Sequence, residues 1–177
     1  MIELTKNHEK LTMSGRSIME ISKKERRFWK HKFKMRREEY PEHIQHLNLR
    51  DEDIDNEALG YLSKRIKTAE RLDLDNCLIN DEGIAFLKEI DIIKELRLKG
   101  INITDKAVPH LNQLTSLTLL HLGGTQISCA GVAGLTGLKQ LKTLLFSPND
   151  IENDKLSGFL KALPQCELII NHRIYNP

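Results

Sequence analysis

Side chains that could carry out chemistry are few in this chain, and their spacing argues against most of it. His43 and His46 lie three residues apart at the entrance of an extended segment. Residues at that spacing point to opposite faces of a strand, so the pair diverges rather than converging on one metal ion. Asp73, Asp75 and Cys77 open like a calcium loop, but the sixth and twelfth places hold Leu78 and Ile84, where a turn glycine and a bidentate glutamate are required. Gly123-Gly124-Thr125 lacks the lysine and the spacing of a phosphate loop and reads as a turn. Asp51-Glu52-Asp53 is an acidic run in a turn, solvated on this reading. Cys77, Cys129 and Cys166 are an odd number with no CxxC pair. That spacing builds neither a disulfide framework nor a zinc site and suits a reducing compartment, and nothing near them would activate a thiolate. GxSxG, HExxH, GxxxxGK[ST] and GxGxxG motifs are all missing. The expectation is a protein with no catalytic residue, no metal ligand and no cofactor.

The elements that carry these residues divide into two unlike parts. Residues 1–40 hold 12 Lys/Arg against 6 Asp/Glu, while residues 41–177 hold 15 against 19. The overall charge of +2 therefore hides a basic N-terminal segment and a mildly acidic remainder. No run of 18 apolar residues occurs, and MIELTKNHEKL has no secretory apolar core. A soluble cytoplasmic protein is expected.

Within residues 41–177 one pattern recurs. Leu-x-Leu, or a close variant, appears at Leu47/Leu49, Leu72/Leu74, Leu96/Leu98, Leu120/Leu122, Leu144/Phe146 and Leu168/Ile170, at intervals of 25, 24, 24, 24 and 24 residues. Seven residues after each of the first five starts stands an isoleucine: Ile54, Ile79, Ile103, Ile127 and Ile151. Later apolar positions (Leu59, Leu62; Ile84, Leu87; Val108, Leu111; Val132, Leu135; Leu156, Phe159) step by threes. Each copy thus changes from the alternation of a half-buried strand to the period of a helix face. Helix N-cap candidates lie between: Asp55 or Asn56, Asn80 or Asp81, Thr104 or Asp105, Ser128, and Asn153 or Asp154. A unit of strand, turn and short helix cannot bury its apolar side alone, but stacked units share one core.

The stretches LDLDNCLINDEGIAFLKEI and LRLKGINITDKAVPHLNQL resemble the leucine-rich-repeat family, in its bacterial 24-residue form L-x-L-x-x-T-x-I-T-D-x-G-L-x-x-L. The resemblance runs from about Ile44 to Ile170. It implies an α/β solenoid: a short arc of five full repeats plus a terminal strand, with a parallel sheet on the concave face and helices on the convex side. Two features depart from the family pattern. The turn-ladder position reads Glu52, Cys77, Ile101, Thr125 and Asn149, and the last copy ends after its strand with no helix. The second departure leaves an uncovered sheet edge at the C-terminal end, which is open to self-association.

In such a stack the residues flanking the leucines form outward columns. They read His46, Arg71, Glu95, Leu119, Thr143, Glu167; then Asn48, Asp73, Arg97, His121, Leu145, Ile169; then Arg50, Asp75, Lys99, Gly123, Ser147, Asn171. Between the second and third repeats every column pairs opposite charges, Arg71 with Glu95, Asp73 with Arg97 and Asp75 with Lys99, a ladder that would fix neighbour order. Farther on, Leu119, Leu145 and Ile169 gather around His121. Outward apolar residues grouped beside charges are how protein interfaces are commonly built. The plainer alternative has Ile174 or Tyr175 folding back over them, or a second copy packing there. The expected contacts are Arg97, Leu119, His121, Thr143, Leu145 and Ile169. The corresponding function is a non-enzymatic protein-binding module, an adaptor or a specific inhibitor such as a toxin's immunity partner.

Residues 23–37, KKERRFWKHKFKMRR, hold nine Lys/Arg and one Glu around Phe28, Trp29 and Phe33. A solenoid needs its first end covered by an element with one apolar side. A helix presenting Ile18, Ile21, Phe28 or Trp29, and Phe33 would supply it, with Pro41 marking the break before the first strand. The rival reading gives this segment the function itself, as a nucleic-acid or anionic-surface binder.

Overall fold

All six Leu-x-Leu segments begin on a strand, with the first leucine one or two residues before the strand's end. The strands are β1 (His43–Asn48), β2 (Thr68–Asp73), β3 (Ile92–Arg97), β4 (Leu119–His121), β5 (Thr143–Phe146) and β6 (Glu167–Ile170), in a computed structural model that describes residues 21–176. They pair in parallel and in chain order. The register is the one the sequence period dictates: Leu47, Leu72, Leu96, Leu120, Leu144 and Leu168 lie side by side across all six strands. Side chains alternate across a strand, so this register sends every leucine of the series to the same side.

That side carries the helices. They are α1 (Lys23–Lys32), α2 (Asn56–Ser63), α3 (Asp81–Ile84), α4 (Val108–Leu111), α5 (Cys129–Ala133) and α6 (Asn153–Ala162), with 3₁₀ turns at Arg37–Glu39, Ala85–Glu89 and Asp105–Ala107. Asp55, Asn80, Thr104 and Ser128 accept hydrogen bonds from backbone amides of the first turn that follows each, as N-caps do. In the fifth repeat the cap position is Glu152, one residue before the expected Asn153 or Asp154, and its side chain makes no capping bond. Pro109 sits in the first turn of α4, where its missing amide hydrogen leaves no bond unmade. Leucines, isoleucines and valines of strands, turns and helices form a single buried cluster from Trp29 to Ile170. The fold is α/β, with a mostly parallel seven-stranded sheet and a solenoid-like succession of strand, turn and helix. Among the described residues no helix is long and apolar enough to cross a membrane.

The turns leaving β1 to β4 are built on one backbone feature. Asp51, Asn76, Gly100 and Gly124 occupy equivalent places, and all have positive φ, between 59° and 70°. Glycine adopts this region freely, and asparagine and aspartate tolerate it best among the others. The equivalent place in the fifth repeat is Pro148, whose ring holds φ near −65° and forbids that turn. Beyond the turns, lone parallel bridges link Asp55 to Leu78, Asn80 to Asn102 and Thr104 to Gln126. Among the described residues this column does not continue into the proline-bearing repeat.

The C-terminal end differs from the expected bare strand. After β6 the chain reverses through Asn171 and His172, both with positive φ, and β7 (Arg173–Ile174) pairs with β6 in antiparallel fashion. β7, not β6, is therefore the edge strand. At the other end, α1 lies against the first repeat. Trp29 is only 1% exposed and, with Tyr40, belongs to the common core. Phe28, Phe33 and Tyr61 extend the cluster, with Trp29–Tyr40 and Phe28–Tyr61 ring centroids 5.1 and 5.5 Å apart. Lys24 to Glu57 and Lys32 to Glu52 tie the helix flanks to the repeat. Ile18, also expected on the apolar side of this helix, lies outside the described residues.

Candidate partner interface on the strand face

The register places the six expected contact residues in one block on β3 to β6. Arg97, His121, Leu145 and Ile169 follow one another across the four strands, and Leu119 and Thr143 are neighbours in the adjoining column. Ile174 continues the first column, because it pairs with Ile169. Leu119, Thr143, Leu145 and Ile169 are half-buried and Ile174 is 59% exposed. The tail does fold back, but beside Ile169 rather than over it. It enlarges the apolar patch instead of covering it. Tyr175 turns to the opposite side, where it packs partly against the core and its hydroxyl donates to Asn153 Oδ1 at 2.6 Å.

His121 is less available than expected. It is 9% exposed, and its Nδ1 is buried with no hydrogen-bond partner. Burial, reinforced by the positive charge of Arg97, pushes its pKa below the ordinary histidine value. The ring is thus an uncharged floor of the patch rather than a charged contact. Gly123 gives it room: a methyl group there would come within 2.9 Å of His121 Nε2.

Beside the apolar block stands a charged one, in which two of the three expected rungs, Arg71–Glu95 and Asp73–Arg97, are present but looser than an in-strand pair and a diagonal one. Asp73 and Asp75 are each 1% exposed. Arg71 donates twice to Asp73 on its own strand, from Nε and Nη2, both at 3.0 Å, and its contact with Glu95 is a looser 3.9 Å. Arg97 lies 3.7 Å from Asp73 but donates to Asp75, at 3.3 Å. Asp75 also receives Arg50 at 3.1 Å and the backbone amide, not the ammonium, of Lys99 at 2.9 Å. His46 completes the group, 3.3 Å from Asp73. Burial would raise the Asp73 pKa, but the bonds from Arg71 and His46 and the charge of Arg97 outweigh it and hold the carboxyl below the usual range. Arg97, with a side chain 20% exposed, is chiefly engaged inside the protein. The buried carboxylates were not foreseen; their signal was two aspartates two residues apart within the outward columns, flanked by arginines in both neighbouring repeats.

Other candidate chemistry disperses. His43 meets Thr68 at 2.9 Å while His46 meets Asp73, so the two histidines serve different partners. Among the described residues, no group of three or more His, Cys, Asp or Glu side chains is placed to hold a metal ion. Burial pushes the Cys77 and Cys166 thiols up to about 11, which suits structural rather than reactive cysteines. A hollow of about 630 Å³ lies at the N-terminal end between α1 and the segment after it, lined by Ile21, Trp29 and Met35 and edged by Arg26, Lys30 and Lys34. It is remote from the strand face. Flat, partly apolar sheet surfaces suit a protein partner better than a small molecule.

No protein-family profile matches the chain, and no curated protein matches it. Among solved structures it is similar to "Leiomodin-1 Actin-Binding Site 2 (ABS2)", with 21% sequence identity, a TM-score of 0.48, and coverage of 68% of this chain and 79% of that one. At this level of likeness nothing of that protein's function transfers.

Proposed function

We propose that this chain is a leucine-rich-repeat binding module, without enzymatic activity or cofactor, that docks a partner protein on its strand face. The observation that supports this reading is the unbroken column of His121, Leu145, Ile169 and Ile174, joined by Leu119 on the same face and bordered by the Arg–Asp network. Apolar side chains at the centre supply affinity, since each loses water on docking. The charged border supplies orientation and discrimination, because a partner that fails to match it loses solvation without compensation. Arg97, Thr143 and the half-exposed leucines form the contact. An adaptor or a specific inhibitor, such as the immunity partner of a toxin, are the roles this architecture suits.

The test is capture of partners from a lysate of the source organism on immobilised wild-type protein and on Leu145→Asp, with washes at low and high salt and mass spectrometry of what is retained. One protein held through high salt by the wild type and lost by a well-folded Leu145→Asp is the expected result. Equal retention by the two proteins defeats the proposal.

A further inference from the structure

We infer that the outer face of α1 is a second binding surface, for the phosphate backbone of a nucleic-acid duplex. The nine Lys/Arg of residues 23–37 divide into two sets. Lys24, Lys32, Arg36 and Arg37 are engaged in ion pairs with Glu57, Glu52, Glu39 and Glu25. The other five, Lys23, Arg26, Arg27, Lys30 and Lys34, are exposed and make no ion pair with another described residue. Lys23, Arg26, Arg27 and Lys30 follow the i, i+3, i+4, i+7 spacing that keeps side chains on one face of a helix, and Lys34 lies just beyond its end, at a φ of 58°. Glu25, the one acid within the helix, is buried on the opposite side, beside Trp29. The stripe is therefore cationic without interruption over roughly 10 Å of helix axis, at about 1.5 Å per residue.

Where the aromatic side chains of this segment point selects the polyanion. Membrane-bound amphipathic helices insert apolar side chains, and single-strand binders stack bases on exposed aromatics. Here Phe28, Trp29 and Phe33 all pack inward, on the core. A rigid row of cations about 5–6 Å apart matches the dense, regular charge of a duplex, which carries one phosphate per roughly 3.4 Å along each strand. Contacts of this kind read charge and not sequence.

The inference is independent of the strand face and is tested on the whole 177-residue chain with a DNA duplex of arbitrary sequence, about 20 base pairs long, by fluorescence anisotropy. Weak, sequence-independent binding is expected, with a dissociation constant on the order of 10⁻⁶–10⁻⁴ M near physiological salt and a log–log salt slope of about −4.5 for five contacts. Arg26→Glu/Arg27→Glu/Lys30→Glu should lower affinity at low salt at least about tenfold and flatten the slope by about 2–3. Arg26→Gln/Arg27→Gln/Lys30→Gln should do the same in smaller measure, and serves if charge reversal unfolds the helix. Lys64→Glu/Lys88→Glu/Lys106→Glu, the same charge change on exposed sites of the repeats, should bind nearly as the wild type does. The inference is overturned by any of four results: no duplex binding at low salt, equal losses in stripe and control variants, tighter binding of single strands, or binding of phosphatidylserine vesicles without binding of the duplex.

Discussion

Arg97 reaches back from β3 to Asp75, two residues beyond the end of β2, with Nε 3.3 Å from Oδ2. The bond crosses a repeat boundary and serves a carboxylate that water scarcely touches. Removing one member of such a pair costs more than the bond is worth, because a buried charge is left behind. Arg97→Met is expected to destabilise the protein by about 1–3 kcal/mol in urea unfolding. Arg50 and the Lys99 amide still hold Asp75, which keeps the loss below that of a fully orphaned carboxylate. An unchanged midpoint would mean that the network contributes nothing to stability.

His121 gives the stability a specific pH dependence. Its folded-state pKa lies below the ordinary value of 6.5, so the unfolded chain takes up a proton more readily than the folded one. Stability from this site is complete above the unfolded value and is lost as pH falls through it toward the folded pKa. The wild type should lose stability as pH falls from about 7 through the unfolded value, and His121→Gln should show a flatter profile there. Parallel profiles would assign the pH response to other groups.

The left-handed turn position offers an internal comparison. Asn76 and Asp51 already occupy it with positive φ, and Gly124 does so at 70°. Gly124→Asn should therefore cost well under 1 kcal/mol, whereas Gly124→Val should cost about 1–2 kcal/mol or more, because β-branched residues are strained there. Thermal denaturation of the two variants measures the difference. Equal losses would show that contact with the neighbouring turn, not backbone conformation, sets the preference.

Trp29 joins α1 to the repeats. Trp29→Ala opens a cavity between Tyr40, Phe33 and the first repeat and should cost about 3–5 kcal/mol, read as a lower unfolding midpoint. Hydrogen exchange in α2 and β1 should quicken more than in β5 and β6, since neighbouring units share stability locally. Uniform acceleration along the chain would instead describe one undivided cooperative unit.

The strands and their register were legible in the sequence because a period of 24 residues leaves one alignment in which all the leucines face inward. The block containing Leu119, Leu145 and Ile169 followed from that register alone. The pairing of the charges did not. Arg71 has Asp73 and Glu95 both within reach, and side-chain direction rather than column position decides between them. β7 was hidden for another reason: two residues paired by a local reversal leave no periodic trace. The shared conformation of Asp51, Asn76, Gly100 and Gly124 was obscured because three residue types satisfy one backbone demand.

The reversal at Asn171 and His172 also determines where this chain can be lengthened. Between internal repeats, the exit of one unit matches the entrance of the next, so an extra 24-residue copy inserted between β3 and β4 would meet compatible neighbours on both sides. At the C-terminal end it would meet a strand running the wrong way. The hairpin acts as a stop signal for duplication at that end.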